Sequence, residues 1–140
     1  MGYFPYVTRS NTGSKNIISL MNDMGINKIN PVYVTRCYLT RHGEGPLENE
    51  CDISDYIKVI DETNIPNTWQ DSMRYGFIDT ELLKKRIDLD YSFFGELASP
   101  NTLAITCLDQ ARDDIIVDGQ IIPKQSLKRL FDYNIIEKSF

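Results

Sequence analysis

The residues most suited to chemistry or ligand binding lie in segment 40–46, which reads TRHGEGP. In this segment Arg41 and His42 stand beside two glycines, which let the backbone approach a bound molecule closely. An arginine binds phosphates and carboxylates, and a histidine forms hydrogen bonds through both ring nitrogens, so the composition is that of a ligand-binding loop. Two interpretations remain open: a loop that contacts a ligand, and a tight turn whose charged side chains are solvated.

His42 is the only histidine of the chain. A histidine can act as a general acid or base near neutral pH, but no serine or cysteine nucleophile motif accompanies this one. A single histidine without carboxylate partners also cannot hold a metal ion. We therefore predict a ligand contact or a structural role for His42, and no catalytic residue, metal site or cofactor.

A second candidate is Asp109, which follows the buried-strand pattern of residues 102–108. A carboxylate in this position lies at the carboxyl edge of a sheet, where α/β folds commonly bind ligands. The alternative is that Asp109 caps the next turn, and the two interpretations have equal weight.

Two further charged groups are predicted to be ordinary surface. The acidic residues of segment 48–55 follow no known metal-binding loop and are expected to form a solvated connection. The basic residues at 84–86 fall opposite the apolar stripe of a predicted helix, with Arg86 near the edge of the stripe, and are expected to form an ordinary polar face.

Hydrophobic periodicity predicts a single small α/β domain with a mixed sheet and about three helices to position these residues. One helix begins at Ser14 and ends at Gly25, a second is capped by Asp79, and a third has Pro123 at its first position. The third helix is expected to bury Leu127, Leu130 and Phe131. The predicted strands are 5–7, 32–41, 56–60 and 102–108, with a hairpin over 115–122 that turns at Asp118-Gly119.

Composition limits the class of protein and its partners. The 140 residues are 41% hydrophobic and 25% charged, which fits one folded domain over residues 1–140. The net charge of −5 argues against general affinity for DNA or RNA. No apolar run is long enough to span a membrane, and the amino-terminal residues do not form a signal peptide. The three cysteines lack zinc-site spacing and indicate reduced thiols in the cytoplasm.

Four segments in collinear order resemble the second half of adenylosuccinate synthetases. Segment 6–12 (YVTRSNT) resembles YVTSSNT, 40–46 (TRHGEGP) resembles TRVGxGP, 74–79 (RYGFID) resembles RxGWxD, and 106–109 (TCLD) resembles TKLD. The resemblance covers about residues 1–110, whereas 111–140 are predicted to be a divergent hairpin followed by a helix. The fold that the resemblance implies is the carboxyl-terminal part of such an enzyme.

The resemblance also implies ligand contacts for particular residues. Those implied to bind a nucleotide are Thr8, Ser10, Asn11 and Thr12 at the phosphate, Arg41, His42 and Gly43 along the ribose, and Asp109 at guanine. Those implied to bind a carboxylate or another anionic group are Gln70 and Arg74. The departures from the family pattern are a histidine for valine at position 42, a cysteine for lysine at position 107, and TWQDSMR at 68–74 in place of TTGRxRR.

The family joins IMP and aspartate at the expense of GTP, with a phosphate loop, a catalytic Asp, a catalytic His and Mg²⁺ that belong to its first half. The resemblance therefore implies a purine-nucleotide-binding relative that binds or sequesters a nucleotide and has no ligase activity of its own. One alternative is a piece of a split enzyme, which needs a partner chain and Mg²⁺. A second is a protein-interaction module with a vestigial pocket. Expected partners are a purine nucleotide and either a second copy of the chain or a partner chain.

Overall fold

The computed structural model describes residues 13–58, 72–131 and 134–138, the last range as backbone alone. Several predictions therefore lie outside the described residues. They are the short extended segment at 5–7, the end of the strand at 56–60, and the candidate ligand contacts Thr8, Ser10, Asn11, Thr12 and Gln70.

The helices lie where the capping signals place them. Helix α1 spans Ser14–Met24 and ends at Gly25, whose φ of 68° is the left-handed conformation that glycine favours. Helix α2 spans Thr80–Ser92, and the Asp79 side chain accepts a hydrogen bond from the Leu82 N–H at 2.8 Å. The third predicted helix is a 3₁₀ helix, Lys124–Leu130, that follows Pro123. Leu127 and Phe131 are buried there as expected, whereas Leu130, the last residue of the 3₁₀ helix, is 42% exposed.

The strands are β1 (Val32–Arg36), β2 (Leu39–Arg41), β3 (Arg74–Gly76), β4 (Thr102–Thr106), β5 (Asp114–Val117), β6 (Gln120–Pro123) and β7 (Asn134–Lys138). They form a parallel sheet in the order β1-β4-β7 and two antiparallel pairs, β2-β3 and β5-β6. The α/β class with about three helices is confirmed, and a further 3₁₀ turn spans Gly95–Leu97. The parallel and antiparallel strands of the predicted mixed sheet lie in separate sheets.

Two predicted strands were wrong in detail. The strand over 32–41 is divided at Cys37 and Tyr38, which are both buried, at 1% and 5% exposure. Two consecutive buried side chains break the alternation of a strand, and the chain leaves the β1-β4-β7 sheet here so that β2 can pair with β3. No strand forms in the described part of 56–60. The Tyr56 and Ile57 N–H groups both donate to the Ile53 carbonyl, and Ile57 then makes a single antiparallel bridge with Ala111. Strand β7 was not predicted.

The hairpin β5-β6 is confirmed, and it belongs to the main core. Its turn residues Asp118 and Gly119 have φ of 53° and 71°, as a type I′ turn requires. The Asp118 carboxylate accepts hydrogen bonds from the Thr80 N–H and hydroxyl, each at 2.7 Å, and so caps α2. The hairpin residues Ile115 and Val117 pack in one cluster with Ile87 of α2 and with Leu103 and Ile105 of β4.

The start of α1 is capped by a residue of α2. Gly13, the residue before α1, has no side chain to accept a hydrogen bond, and the Asp90 carboxylate fills that role. Asp90 accepts from the Ser14 N–H at 3.0 Å, from the Ser14 hydroxyl at 3.0 Å and from the Tyr33 hydroxyl at 2.8 Å. Burial opposes ionisation of Asp90, but these hydrogen bonds outweigh it and hold the pKa of the carboxyl below its ordinary value.

We expect Asp90→Asn to lower the free energy of unfolding by about 1–2 kcal/mol at neutral pH, since it weakens the cap of α1. The folded-state pKa of Asp90 is depressed, so its stabilisation is present above the ordinary carboxyl pKa and is lost as the pH falls through the folded-state value. Urea unfolding at neutral and acidic pH measures both effects. The matched control is Asp23→Asn, at an exposed carboxylate of α1. Equal pH dependence in the wild type and Asp90→Asn contradicts this assignment.

Within the described ranges, no helix is both long and apolar enough to cross a bilayer.

Candidate functional site

The antiparallel pair β2-β3 brings two of the predicted site residues together. Arg41, the last residue of β2, lies directly opposite Arg74, the first residue of β3. The chain then enters the glycine loop, defined here as residues 42–45. Gly43 and Gly45 have φ of 71° and 99°, which residues with a side chain rarely adopt, so the two glycines allow the loop to turn sharply after β2.

Arg41 closes the glycine loop from one side. Its Nε and Nη2 atoms donate to the Glu44 carbonyl at 2.9 Å and 2.7 Å. A forked guanidinium that holds a single carbonyl through two N–H groups stabilises this conformation of the loop. Arg41 therefore has a structural function in the loop, and its predicted contact with a ribose stays a prediction.

Arg74 holds the glycine loop from the other side. Its Nη1 atom donates to the Gly43 and Gly45 carbonyls at 3.0 Å and 2.7 Å. Its Nε atom donates to Glu50 Oε1 at 2.7 Å, and Nη2 binds the other carboxylate oxygen. These hydrogen bonds hold the pKa of Glu50 below its ordinary value and raise that of Arg74. The carboxylate that Arg74 holds in this structure is thus that of Glu50, and its binding of a ligand's anionic group stays a prediction.

His42 carries an unsatisfied polar atom inside the same loop. Its Nδ1 atom is shielded from water and has no hydrogen-bond partner among the described residues. A buried nitrogen without a partner costs free energy, and most such groups in proteins are paired. A hydroxyl or N–H group of a bound molecule can satisfy it.

Asp109 follows β4 of the parallel sheet, whereas the glycine loop follows β2. Asp109 is exposed in the turn that follows β4, at the carboxyl edge of the parallel sheet. The pKa of the Cys37 thiol is raised mainly by burial, then by the Cys107 thiol, and the Asp109 charge adds a smaller contribution. The turn is closed by the Gln110 N–H, which donates to the Cys107 carbonyl at 3.2 Å. Lys124 Nζ also donates to the Leu108 and Ala111 carbonyls at 3.3 Å and 3.0 Å. The predicted guanine contact of Asp109 stays a prediction.

An open cavity of about 540 Å³ lies along β2, with Arg41 in its wall. Its size is in the range of small-molecule sites. Its other lining residues are Leu39, Thr40, Pro46, Leu47, Glu48 and Arg86. Arg86 Nη2 contacts the two Glu48 carboxylate oxygens at 3.0 Å and 2.9 Å, so this ion pair forms part of the cavity wall.

The acidic segment 48–55 differs from its predicted role as a wholly solvated connection. Glu48 pairs with Arg86 of α2, and Glu50 pairs with Arg74 of β3. Sequence reasoning missed both pairs, because their members are separated by 38 and 24 residues and no local pattern joins them. Across the described residues, no group of three or more His, Cys, Asp or Glu side chains is arranged to hold a metal ion.

The chain is similar to known proteins over most of its length. Residues 1–113 match the family model described as adenylosuccinate synthetase. The adenylosuccinate synthetase of Methanococcus maripaludis is 33% identical over 118 residues, which cover 81% of this chain and 31% of that protein. That of Clostridium beijerinckii is 32% identical over 111 residues, 77% of this chain and 24% of the relative. The chain therefore spans about a third or less of the length of these relatives. No solved structure gives a significant match.

Proposed function

The chain belongs to the adenylosuccinate synthetase family, and from that premise we propose that it binds a purine nucleotide whose sugar lies against the glycine loop. The observation that carries the proposal is the buried, unpaired Nδ1 atom of His42 in a loop that two arginines hold in place. A loop that is already ordered loses little conformational entropy on binding, which favours ligand recognition.

A ribose hydroxyl is the proposed partner of His42. It donates a hydrogen bond to Nδ1 and removes the cost of the unpaired nitrogen. Because Nδ1 is shielded from water in the free protein, binding includes a small opening of the glycine loop. Arg41 lies in the wall of the adjoining cavity, where a sugar or phosphate is within reach of its side chain.

The other contacts are proposed from the family resemblance. The phosphate lies against Thr8, Ser10, Asn11 and Thr12, with guanine at Asp109 and an anionic group near Gln70 and Arg74. For Arg74 this requires an exchange, since Glu50 already occupies its guanidinium. A ligand carboxylate in that position displaces Glu50, which is 43% exposed and can turn into solvent.

We propose that binding occurs without ligase activity of this chain alone, so that the protein sequesters or senses a nucleotide in the cytoplasm. The direct test is thermal unfolding in the presence of IMP, GMP, GTP, AMP and cyclic dinucleotides. A ligand at about 100 times its dissociation constant adds about 2.7 kcal/mol of stability. A shift with one purine nucleotide supports the proposal and names the ligand, whereas no shift with any of them contradicts it.

His42→Val separates the ligand role of His42 from a structural one. Valine removes the unpaired nitrogen, so we expect the free protein to be unchanged or up to about 1–2 kcal/mol more stable. We also expect nucleotide affinity to fall by roughly tenfold, the loss of one hydrogen bond. Chemical unfolding and calorimetric titration measure the two effects. Unchanged affinity together with unchanged stability removes His42 from the site.

The outer face of the parallel sheet favours a second candidate function. Val32 and Val34 of β1 are 52% and 69% exposed there, although parallel sheets are normally covered on both faces. We propose as the alternative that another part of the family's fold, in the same or a separate polypeptide, covers this face and supplies the phosphate loop and Mg²⁺ for adenylosuccinate synthesis.

This alternative is tested by mixing the chain with the preceding portion of the Methanococcus maripaludis relative and measuring adenylosuccinate formation. The alternative is supported if the wild-type mixture is active and Val34→Lys abolishes this activity while the variant is still stabilised by nucleotide. A protein that neither binds nucleotides nor complements the relative favours the third possibility, an interaction module with a vestigial pocket.

A further inference from the structure

Two of the three cysteines lie next to each other at the carboxyl edge of the parallel sheet. Cys37 directly follows β1 and Cys107 directly follows β4, and the last residues of these strands, Arg36 and Thr106, are in register. The Cys37 N–H donates to the Thr106 carbonyl at 3.0 Å, which extends the pairing by one step. The third cysteine, Cys51, belongs to the segment that pairs with β3, since its N–H donates to the Tyr75 carbonyl.

The usual spacing of neighbouring strands is one that a disulfide can span. Neighbouring strands lie about 4.8 Å apart, and disulfides join Cα atoms that are about 4.4–6.8 Å apart. The Cys37 Sγ atom already points across the gap between the strands, because it donates to the Cys107 carbonyl at 3.2 Å. A bond between the two sulfur atoms therefore requires rotation of side chains and a small local adjustment, and no separation of the strands.

The two thiols differ in their access to solvent. Cys37 is 1% exposed, and burial followed by the nearby Cys107 thiol raises its pKa to about 12, so it stays protonated at neutral pH. Cys107 is half-buried, in the turn that leaves the sheet, with a φ of 62°. An oxidant from solvent thus meets Cys107 first, and Cys37 is placed to react second.

We propose that Cys37 and Cys107 form a reversible disulfide when the protein meets a peroxide. The Cys107 thiolate attacks one oxygen of hydrogen peroxide, the O–O bond breaks, and Cys107 sulfenic acid forms with release of hydroxide, which becomes water. The Cys37 sulfur then attacks the sulfenic sulfur, the S–O bond breaks, and the departing hydroxide takes the Cys37 proton as water. In total two thiols and one peroxide give one disulfide and two waters, so that sulfur is oxidised and peroxide oxygen is reduced.

The bond joins the ends of β1 and β4 and restrains the turn that carries Asp109. An effect of this restraint on nucleotide binding rests on the proposed function, because the restraint affects binding only if Asp109 contacts the base. The disulfide itself does not depend on nucleotide binding. Disulfides of this kind in the predicted cytoplasmic compartment are transient and redox-sensing, since the cellular thiol pool reduces them again.

The experiment is a peptide map of the intact chain after exposure to stoichiometric hydrogen peroxide under non-reducing conditions. We expect the Cys37 and Cys107 peptides to appear joined, Cys51 to remain alkylatable, and dithiothreitol to restore all three thiols. Cys51→Ser gives the same cross-link. In the Cys37→Ser variant, oxidation is expected to stop at a sulfenic acid on Cys107, which dimedone labels. In the Cys107→Ser variant, Cys37 is expected to stay reduced at the same peroxide dose.

Two results overturn the proposal. In the first, Cys107 of the wild type is labelled by dimedone or oxidised further, and no cross-link forms. In the second, the cross-link includes Cys51 or joins two chains. The wild-type map decides the matter even if a serine variant does not fold. Repeating the nucleotide titration on the oxidised protein then tests the consequence separately. If the cross-linked protein has unchanged nucleotide affinity, the disulfide proposal stands, but its proposed effect on binding is contradicted.

Discussion

Removal of residues 114–140 is expected to abolish cooperative folding, although the family match already ends at residue 113. The segment supplies Ile115, Val117 and Leu127, which are 0%, 1% and 0% exposed within the core cluster of the described residues. It also supplies β7, without which β4 becomes an edge strand. Each buried aliphatic side chain stabilises a fold by about 1.5–3 kcal/mol. Since domains are stable by only about 5–15 kcal/mol, the remaining chain cannot hold its fold.

Circular dichroism, urea unfolding and size-exclusion chromatography measure the result of this deletion. A point-variant pair on the hairpin gives a milder, matched test. Ile115→Ala is expected to cost about 2–5 kcal/mol, whereas Ile121→Ala, at a residue that is 60% exposed, is expected to cost far less. A soluble, folded monomer without residues 114–140 contradicts the prediction, and it shows that the hairpin is an accessory to a core that stands without it.

Gly76→Ala is expected to cost about 1–3 kcal/mol and to disorder the glycine loop. A β-carbon at Gly76 lies 2.8 Å from the Asn49 carbonyl oxygen and 2.9 Å from that of Glu48, distances that real β-carbons essentially never show. The clashing atoms are backbone, so the segment around residue 49 must move away from β3. That segment forms a bridge from Glu50 to Gly76 and positions the carboxylate that Arg74 holds.

The matched control for Gly76→Ala is Gly95→Ala. Gly95 has a φ of 56° with open space around its would-be β-carbon, so alanine there costs about 1–2 kcal/mol of backbone strain without displacing a neighbour. Urea unfolding compares the stabilities, and nucleotide titration reports the condition of the loop. The expected pattern is that Gly76→Ala loses nucleotide affinity and Gly95→Ala keeps it. Equal affinity in the two variants shows that the contact at Gly76 does not support the site.

Features that depend on neighbours along the chain could be predicted from the amino-acid sequence. The left-handed Gly25 that ends α1, the Asp79 cap of α2 and the Asp118-Gly119 turn were each predicted from a few adjacent residues. The family was also evident from short motifs, because a motif is a local string. These signals are reliable since the backbone conformation of glycine and the hydrogen bonding of a capping carboxylate act within one turn.

Contacts between groups that are distant in the sequence became visible only in the folded chain. Glu50 and Glu48 resembled solvated acids in the sequence, and only the fold shows that Arg74 and Arg86 bind them. The break of the strand at Cys37 and the addition of β7 beside β4 likewise depend on partners that are far away in the sequence. The physical reason is that hydrogen bonds and burial depend on distance in space. A sequence identifies the groups that can form such contacts, and the packed chain selects the partners that satisfy them.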